Sequence, residues 1–474
     1  MTLPAKFVER VLRDLGGTEG AALCAALDAE PPVSVRLNPA KTGAETVSAG
    51  PDAGLPVPEA AGLPALAIAG RVPWSRDGRY LAVRPSFTLD PDFHAGAYYV
   101  QEASSQFVGH LLAAVRTEGA RILDLCAAPG GKTTLYASLA GPDGLVVANE
   151  IDRRRASVLA DNVRKWGTGN VAVTTCEPRA LGDFEAWFDV VAVDAPCSGE
   201  GMFRKDPDAR GEWSEGNVKQ CAARQDEILR EAWRALKPGG TLVYSTCTFN
   251  RDEDEGALER MAAWAGDEIA ESEETAVEDA WGIVCGRVGA FRTFRFYPHR
   301  TCGEGFFAAV ARKSFDAGGR VRAPKARRTV FAAVDRKTAG ELARWVRNPG
   351  GMRFAAVADT CYAWYAAQAD AVRTLSEALP VIYSGVALGQ VFKGVLKPDP
   401  ALAFFDGLNR GALPAAELDD EETLRFLRRQ DIAAGGLAEG MNLVCSRGRA
   451  LGFAKRIGAR VNNLYPNSLR IIKQ

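Results

Sequence analysis

The sequence predicts an α/β protein whose central part is an open parallel sheet, and two observations support this class. Apolar runs that are typical of buried strands alternate with helix-like segments between about residues 96 and 315. A Gly-rich turn follows the first of these runs and leads into a helix, within residues 125–134. Strands that alternate with helices favour parallel pairing, with helices on both faces of the sheet.

Five apolar runs are the predicted parallel strands. They cover residues 122–126, 145–148, 171–174, 190–193 and 242–245. Two segments between them, 153–166 and 218–236, have the apolar spacing of helices. The residues Lys237-Pro238-Gly239-Gly240 end the second helix. A further pair of runs, 293–297 and 306–312, predicts an antiparallel hairpin at an edge of the sheet.

The composition excludes several classes of protein. The chain has 474 residues, of which 47% are hydrophobic and 25% charged, and a formal net charge of -1, which is ordinary for a folded protein of two to four domains. The ten Cys form no C-x-x-C pair and the three His are scattered, so we predict no metal site. Neither a signal peptide nor an apolar run of about 20 residues is visible, so we expect a cytoplasmic protein with free thiols and no membrane contact.

Shifts in composition divide the chain into four segments. Residues 1–95 combine a helix at 1–15, a strand at 34–37, loops and short helices at 41–70 and a strand at 80–84. Residues 96–315 carry the alternating pattern, residues 316–329 are a basic linker, and residues 330–474 form a further α+β region. Six positive charges and one negative charge lie between residues 313 and 328, so the linker is expected to be a solvated connector or an RNA contact.

The C-terminal tract 446–474 has seven Lys or Arg residues and no acid, with Phe453 and Tyr465 interleaved. Basic side chains beside aromatic ones suit phosphate contacts and base stacking, although a solvated basic face gives the same pattern. The candidate RNA-binding residues are Arg447, Arg449, Lys455, Arg456 and Arg460. The acidic runs are interpreted as solvated faces or loops, and they lie at 252–255, 271–274 and 417–422.

The Gly-rich turn at residues 126–132 predicts a site for an adenosyl cofactor. Its glycines let a ligand approach the backbone, and the helix after it favours negative groups at its N-terminus. A phosphate loop would need glycine at Cys126, and the G-x-G-x-x-G pattern is absent, which disfavours an NTP or a dinucleotide. The next two strands end beside Glu150, which can accept ribose hydroxyls, and Glu177, which can face an adenine amino group.

Two cysteines follow the ends of the last two parallel strands. Cys197 ends the segment D-A-P-C, which starts at Asp194, and Cys247 ends the segment Y-S-T-C. The carboxyl ends of neighbouring parallel strands line one crevice, so these three residues are expected to share a site. Taken singly, each cysteine is more simply a buried core residue.

Chemistry assigns these residues distinct tasks. A thiolate that adds to carbon 6 of a cytosine makes carbon 5 able to attack a methyl sulfonium, which is covalent catalysis. Asp194 can bind the N3/N4 edge of the base, and Lys132 can favour a nearby thiolate. A second Cys near carbon 5 can remove the proton that has to leave.

Five motifs resemble those of the Nop/Sun family of RNA cytosine-5 methyltransferases, and within it the bacterial RsmF-like group. They are QEASSQ at 101–106, LDLCAAPGGKT at 123–133, DAPCSGEGMFRKDP at 194–207, YSTCTFNRDEDE at 244–255 and RFYPHRTCGEGFF at 295–307. The segments SVRLNP at 34–39 and RVNNLYPNSL at 460–469 also resemble this group.

The resemblance implies a class I, Rossmann-like S-adenosylmethionine-dependent methyltransferase domain with a seven-stranded sheet. It also implies an N-terminal α+β RNA-binding appendage, a C-terminal PUA-like α+β region and 16S ribosomal RNA as substrate. In this family the residue at Cys247 is the nucleophile and the residue at Cys197 releases the product. The family often has Asp where this chain has Glu177. The residues expected to bind the cofactor are Cys126, Ala127, Ala128, Pro129, Gly130, Gly131, Lys132, Glu150, Arg155, Glu177 and Asp194.

Other functions stay open at this point. The same chemistry could act on tRNA, and a non-catalytic RNA-binding assembly factor would keep only the fold. Intact Lys132, Asp194, Cys197 and Cys247 argue against the non-catalytic alternative. A DNA cytosine methyltransferase is disfavoured because its attacking Cys lies in the P-C motif. We expect ribosomal RNA or the small ribosomal subunit as the partner of a monomeric protein.

Overall fold

The fold is described from a computed structural model that covers residues 2–43 and 62–472. The N-terminal region forms an antiparallel sheet of order β2-β3-β1-β4 with short helices around it. Its elements are α1 Ala5–Leu15, α2 Gly17–Leu27, β1 Val33–Leu37, α3 Pro39–Thr42, β2 Ile68–Arg71, β3 Gly78–Leu81, α4 Pro91–His94 and β4 Tyr98–Val100.

Two of the three regular elements predicted for this region are confirmed, and one is shifted. Helix α1 and strand β1 lie where the pattern indicates, whereas helix α2 was not predicted. The strand expected at 80–84 ends at Leu81, because Leu81 pairs with Val33 and the partner strand starts there. Much of the stretch 41–70, expected to hold loops and short helices, lies outside the described residues.

The central region carries the parallel sheet that the alternating pattern predicts. Its strands are β5 Arg121–Asp124, β6 Leu145–Asn149, β7 Val171–Thr174, β8 Phe188–Asp194, β9 Leu236–Thr246, β10 Ile269–Ala270, β11 Val284–Val288, β12 Phe291–Phe296 and β13 Phe306–Lys313. Its helices are α5 Phe107–Leu111, α6 Gly131–Ala140, α7 Arg153–Trp166, α8 Pro178–Gly182, α9 Ala209–Glu212, α10 Glu215–Ala235 and α11 Glu255–Ala265. Strands β9-β8-β5-β6-β7 are parallel, so all five predicted strands are confirmed.

Local signals explain where the two predicted helices begin and end. The side chain of Asp152 accepts hydrogen bonds from the amides of Arg154 and Arg155 and thereby caps α7. Gly167, with φ +90°, ends the same helix in a backbone conformation that favours glycine. Helix α10 ends at Ala235, and the predicted terminator Lys237-Pro238-Gly239-Gly240 lies in the first residues of β9.

The C-terminal region contributes two further sheets, of order β14-β15-β16-β18-β19 and β20-β21-β22-β23. Its strands are β14 Ala332–Ala333, β15 Met352–Val357, β16 Thr360–Tyr365, β17 Val381–Ser384, β18 Val386–Phe392, β19 Val395–Pro398, β20 Ala415–Glu417, β21 Gly440–Ser446, β22 Arg449–Ile457 and β23 Arg460–Asn463. Its helices are α12 Arg336–Ala343, α13 Ala369–Ala378, α14 Pro400–Phe404 and α15 Asp420–Leu427.

The central sheet is larger than the seven strands that the family resemblance implies. It has ten strands, in the order β11-β12-β13-β9-β8-β5-β6-β7-β17, with β10 paired to β13. The predicted hairpin of β12 and β13 is confirmed, but it is not the edge, because β11 pairs with β12. At the other end β17 comes from the C-terminal region and pairs antiparallel with β7. It covers N–H and C=O groups that an edge strand would leave exposed.

The basic linker at 316–329 is exposed, yet its backbone is held against the protein. The amide of Arg322 donates to the carbonyl of Glu185 at 3.0 Å, and the amide of Arg327 donates to that of Glu377 at 2.9 Å. The residues expected to form separate domains are therefore connected through this segment and through β17, and the amide of Asp406 also donates to the carbonyl of Gly167. Among residues 2–43 and 62–472, none of the helices combines the length and apolar character needed to cross a membrane.

Candidate active site at the carboxyl ends of the parallel strands

The two predicted cysteines meet at the carboxyl ends of neighbouring parallel strands. Cys197 follows β8 and Cys247 follows β9, and their Sγ atoms are 3.3 Å apart. The amide of Cys247 also donates to the Cys197 Sγ at 3.4 Å. The hydrogen bond to Cys247, followed by burial, raises the pKa of Cys197 well above its ordinary value. Cys197 is therefore held as a thiol.

Asp194 and Lys132 form an ion pair beside the cysteines. Asp194 ends β8, and its Oδ2 lies 2.9 Å from the Nζ of Lys132, while its Oδ1 accepts from the hydroxyl of Ser245 at 2.8 Å. Burial by itself would lower the pKa of Lys132, but Asp194 outweighs it and raises the pKa. Lys132 is thus a largely buried ammonium group that interacts electrostatically with Cys247. All four residues predicted to carry the chemistry are in one site.

The predicted cofactor loop connects β5 to α6. Gly130 has φ +111°, a conformation that L side chains rarely adopt, so glycine is required there. A Cβ atom on Gly131 would lie 3.3 Å from the ring of Tyr99, which leaves little space for a side chain. Burial raises the pKa of Cys126 beyond its usual range, so this residue lines the loop as a neutral thiol.

Two acids lie beyond the loop, at the ends of β6 and β7. Glu150 is buried, accepts from the amide of Asp152 at 3.0 Å, and pairs with Arg155 at 3.2 Å. Arg155 also donates to the carbonyl of Ala128 at 3.1 Å and so links this acid to the loop. Glu177 precedes α8 and is exposed. Glu150 is therefore rigidly placed, whereas Glu177 faces solvent.

A buried acceptor at the base of the loop tests whether an adenosyl cofactor with an amino-acid part fits. The Oδ2 of Asp124 accepts from the hydroxyl of Thr133 at 2.6 Å. Its Oδ1 is buried and has no hydrogen-bond partner among the described residues. Burial raises the pKa of Asp124 to about 7. An unsatisfied buried acceptor suits a ligand's donor group, so the residues present fit such a cofactor.

A buried carboxylate that the sequence reasoning missed holds both cysteine loops. The Oε2 of Glu253 accepts from the amide of Ser198 at 2.9 Å and from the Nε2 of Gln225 at 3.0 Å. Its Oε1 accepts from the Nδ2 of Asn250 at 2.5 Å, and Asn250 also donates to the hydroxyl of Thr248 at 3.0 Å. Ser198 and Thr248 each follow a cysteine directly, so Glu253 fixes the distance between the two loops.

The acidic run 252–255 is therefore not the solvated face that its composition indicates. Glu253 and Asp254 are fully buried. Burial raises the pKa of Asp254 even though Arg295 donates to it at 2.7 Å. The available signal was position rather than composition, because the run directly follows the end of a parallel strand, where polar side chains turn into the site.

Comparison with known proteins identifies the family. A family model described as 16S rRNA methyltransferase RsmB/F matches residues 111–312. Two more match the flanks: the N-terminal domain of 16S rRNA methyltransferase RsmF at 3–103 and the methyltransferase RsmF PUA domain at 414–471. The ribosomal RNA small subunit methyltransferase F of Shewanella loihica is 32% identical over 418 residues, which cover 84% of this chain and 83% of that protein.

A second relative, the ribosomal RNA small subunit methyltransferase F of Escherichia coli O127:H6, is 32% identical over 425 residues and covers 84% of each chain. The chain belongs to the RsmB/F family of 16S rRNA methyltransferases. It is an S-adenosylmethionine-dependent methyltransferase with an RsmF-type N-terminal domain and a PUA domain.

Solved structures agree on the fold. A methyltransferase homologue protein from Pyrococcus horikoshii has 26% sequence identity and a TM-score of 0.50, and the match covers 66% of this chain and 100% of that one. NSun6 from Pyrococcus horikoshii, solved with SFG, has 21% identity and a TM-score of 0.53, and the match covers 65% and 98%. The predicted Rossmann-like methyltransferase fold is confirmed.

Three residues of the predicted RNA-binding set have partners inside this RsmB/F protein. Arg447 and Arg449 form ion pairs with Asp92 of the N-terminal region at 3.0 and 2.8 Å. Arg456 donates to the carbonyls of Ala434 and Leu437, at 3.2 and 2.6 Å. These three guanidinium groups bind acceptors of the chain itself and stabilise its fold.

The aromatic residues of the same tract also have internal roles. Phe453 and Tyr465 are buried in hydrophobic clusters, so neither side chain is available to stack on a base. Lys455 and Arg460 are exposed on β22 and β23. RNA contact stays a prediction for all five residues, of which these two are the exposed ones.

Proposed function

We propose that this protein transfers a methyl group from S-adenosylmethionine to carbon 5 of a cytosine in 16S ribosomal RNA. The observation that carries the reaction is the pair of sulfur atoms 3.3 Å apart beside the ion pair of Asp194 and Lys132. The substrate assignment rests on the relatives, which are named for methylation of small-subunit ribosomal RNA. The rRNA itself or the small ribosomal subunit is the proposed partner, with the protein acting as a monomer.

Cys247 begins the reaction in this proposal. Its thiolate adds to carbon 6 of the cytosine, forming a carbon–sulfur bond and moving electron density to carbon 5. Lys132 places a positive charge near the thiolate, which favours the anionic nucleophile. Asp194 binds the N3/N4 edge of the base by accepting from its N4 amino group, and thereby orients the ring for the addition. S-adenosylmethionine would supply the methyl group as a sulfonium, with the sulfur–methyl bond breaking as carbon 5 bonds to the methyl group and S-adenosylhomocysteine leaving.

Cys197 completes the reaction by removing the proton from carbon 5. The hydrogen bond to Cys247 is the largest cause that keeps the pKa of Cys197 high. Once the sulfur of Cys247 is bonded to carbon 6 it carries no negative charge, so this cause weakens and Cys197 becomes a stronger acid and a more available thiolate. Cys197 lies close enough to Cys247 to reach the same base. Loss of the proton restores the double bond and expels Cys247.

The cofactor would be held by the loop and the acids beside it. The proposed contacts are Cys126, Ala127, Ala128, Pro129, Gly130, Gly131, Lys132, Glu150, Arg155, Glu177 and Asp194. Glu150 is the residue best placed for the ribose hydroxyls, since it is buried and oriented by Arg155. Asp124 joins this set because its buried Oδ1 has no hydrogen-bond partner among the described residues.

Replacement of the cysteines tests the chemistry. We expect Cys247→Ala to abolish methyl transfer to 16S rRNA or to the small subunit, measured as incorporation of labelled methyl groups. Cys197→Ala should accumulate a covalent protein–RNA adduct, visible as a band of reduced mobility on a denaturing gel. Cys285→Ala is the matched control, because this thiol is exposed on β11.

The contrary outcomes are equally specific. Turnover by Cys247→Ala would overturn its role as nucleophile, and absence of adduct from Cys197→Ala with an RNA that the unmodified enzyme methylates would overturn the releasing role. Bisulfite sequencing of ribosomal and transfer RNA from a deletion strain tests the substrate. Loss of a methylcytosine from tRNA alone would contradict 16S rRNA.

A further inference from the structure

The cofactor loop is held from behind by the N-terminal region, which the family resemblance presents only as an RNA-binding appendage. The guanidinium of Arg36, on β1, donates to the carbonyl of Gly131 at 3.0 Å. The hydroxyl of Tyr99, on β4, donates to the carbonyl of Pro129 at 3.2 Å. Both contacts cross from the antiparallel N-terminal sheet to the loop between β5 and α6.

Arg36 is fixed by four interactions. Its Nε donates to the Oε1 of Gln101 at 2.7 Å, and its Nη2 donates to the hydroxyl of Thr134 at 2.6 Å as well as to Gly131. The guanidinium carbon lies 4.5 Å from the ring centroid of Trp166. Burial lowers the pKa of Arg36 to about 10, so the group remains charged at neutral pH. A buried, charged side chain that bridges the N-terminal region, the loop at Gly131 and helices α6 and α7 has a specific structural task.

Thr134 connects Arg36 to a second glycine of the loop, Gly130. Its hydroxyl lies 2.9 Å from the carbonyl of Gly130, the residue with φ +111°. The amide of Gln101 is so close to Gly131 that an added Cβ atom would meet its Nε2 at 3.4 Å. The N-terminal region therefore packs directly on Gly131 and reaches Gly130 through the hydroxyl of Thr134.

The same N-terminal segment also holds the helix on the other side of the cofactor site. The Nδ2 of Asn38 donates to the carbonyl of Trp166 at 2.9 Å, and the Nζ of Lys41 donates to that of Lys165 at 2.7 Å. These bonds satisfy carbonyl groups at the C-terminal end of α7. The opposite end of α7 carries Arg155, the partner of Glu150.

We propose that Arg36 is a positioning residue for S-adenosylmethionine, and that the N-terminal region sets the conformation of the cofactor loop. The inference rests on the proposed function, in which residues 126–132 and Glu150 bind the cofactor. A loop held in its binding conformation loses less conformational freedom when ligand arrives, and this raises affinity without direct contact. Cofactor affinity is therefore determined partly outside the methyltransferase domain.

Binding of S-adenosylhomocysteine to the full chain tests this inference without requiring turnover. We expect Arg36→Met to raise the Kd in calorimetric titration by about 10-fold, since two hydrogen bonds to the loop and α6 are lost. The KM for S-adenosylmethionine should rise by a similar factor, while kcat at saturating cofactor changes by less than about 2-fold. Arg36→Lys, which keeps the charge, should recover part of the affinity.

Arg79→Met is the matched control. Arg79 is also a buried arginine of the N-terminal sheet, on β3 opposite Val35, and its Nη1 donates to the carbonyls of Arg76 and Gly78 within its own region. Its loss should lower the melting temperature but leave the Kd for S-adenosylhomocysteine unchanged. Equal losses of affinity in the Arg36 and Arg79 variants would mean a general structural role and would overturn the proposal.

Tyr99→Phe keeps the inference testable if Arg36→Met does not fold. It removes one hydrogen bond from a half-buried side chain and should weaken S-adenosylhomocysteine binding by about 3-fold. Wild-type affinity in folded Arg36→Lys and Tyr99→Phe proteins would contradict the inference. Glu150→Ala distinguishes failure of the proposed cofactor site from failure of the positioning role of Arg36. Normal affinity in that variant would refute the proposed cofactor site itself, whereas weak binding there with normal binding in the Arg36 variants would refute only the positioning role.

Discussion

The acidic run 252–255 beside the cysteines and the basic tract 447–460 of the PUA domain differ in what their charges contact. In the acidic run, Glu253 and Asp254 lie inside the protein and bind donors from several loops around the site. In the basic tract, Arg447 and Arg449 reach across to a buried carboxylate of the N-terminal region. From composition, the acidic run was expected to face solvent and the basic tract was expected to contact RNA. A run of one charge shows where ionic groups are, whereas the fold decides whether their partner is water, a ligand or the chain itself.

The difference has a physical basis in satisfied hydrogen bonds. A buried carboxylate is tolerated when several donors point at it, and Glu253 has three, from Ser198, Gln225 and Asn250. Arg447 is one of the two turn residues between β21 and β22, and Gly448 is the other, both with positive φ. This tight turn projects the guanidinium toward Asp92. Each segment is thus placed by local geometry and stabilised by distant partners.

Replacement of Glu253 should produce the largest effect on activity. An amide in Glu253→Gln cannot accept from all three donors, so the two cysteine loops lose their common support. We expect single-turnover methyl transfer to slow by about 10- to 100-fold, with cofactor affinity unchanged. Asp252→Asn is the control within the same run, because Asp252 is exposed. Equal rates of methyl transfer in Glu253→Gln and Asp252→Asn would show that Glu253 does not support the cysteine loops during the reaction.

Replacement of the PUA arginines should separate stability from RNA binding. Arg449→Met leaves one oxygen of buried Asp92 without its ion pair, and we expect the free energy of unfolding to fall by about 2 kcal/mol in denaturant titration. The double variant Lys455→Ala, Arg460→Ala should keep the stability. It should weaken RNA binding and reduce the slope of log K against log salt by about 2. A slope unchanged in the double variant would exclude these residues from the RNA interface.

Protonation of His94 should change stability by a similar amount, but only as the pH falls below neutrality. Its Nε2 donates to the carbonyl of Thr88 at 2.8 Å, which leaves Nδ1 to accept from the hydroxyl of Tyr465 at 3.4 Å in the PUA domain. Burial lowers the pKa of His94 to about 4. The folded pKa lies below the unfolded value of about 6.5, so the unfolded chain binds more protons between these values. Stability therefore falls as the pH falls through that window.

We expect His94 to account for about 2 kcal/mol of stability lost between pH 8 and pH 5, measured by denaturant unfolding at each pH. His94→Gln should remove this part of the pH dependence, whereas His110→Gln should leave it intact. His110 is the control because its Nε2 is bonded to the carbonyl of Ala276, away from the PUA domain. If the free energy of unfolding of His94→Gln depends on pH as that of the wild-type protein does, protonation of this imidazole does not determine the pH dependence of stability.

The prediction succeeded where a short stretch of chain carries the whole signal. The parallel strands are runs of apolar, often β-branched residues, and their pairing follows from alternation with helices. The positive φ at residue 130 is a local property of the loop, and glycine is the residue that adopts it readily. The cysteines follow strands that are neighbours in the sheet, so their meeting was predictable before any coordinates.

The prediction failed where the partner is far away in the chain. Strand β17 joins the central sheet from more than 200 residues beyond β7. Its four residues have no sequence feature from which pairing with β7 could be predicted. The linker's basic composition likewise does not reveal that its backbone is bound to Glu185 and Glu377. Such contacts depend on which surfaces meet after each region has formed.

The amino-acid sequence by itself determined the parallel sheet, the cofactor loop and the identity of Cys197, Cys247, Asp194 and Lys132, because each depends on local pattern and on strand order. Only the tertiary structure decided the burial of Glu253, the ion pairs of Arg447 and Arg449, and the reach of Arg36 to the cofactor loop. The reason is that the energy of a charged side chain is set by its surroundings, and those surroundings are assembled from segments up to 408 residues apart.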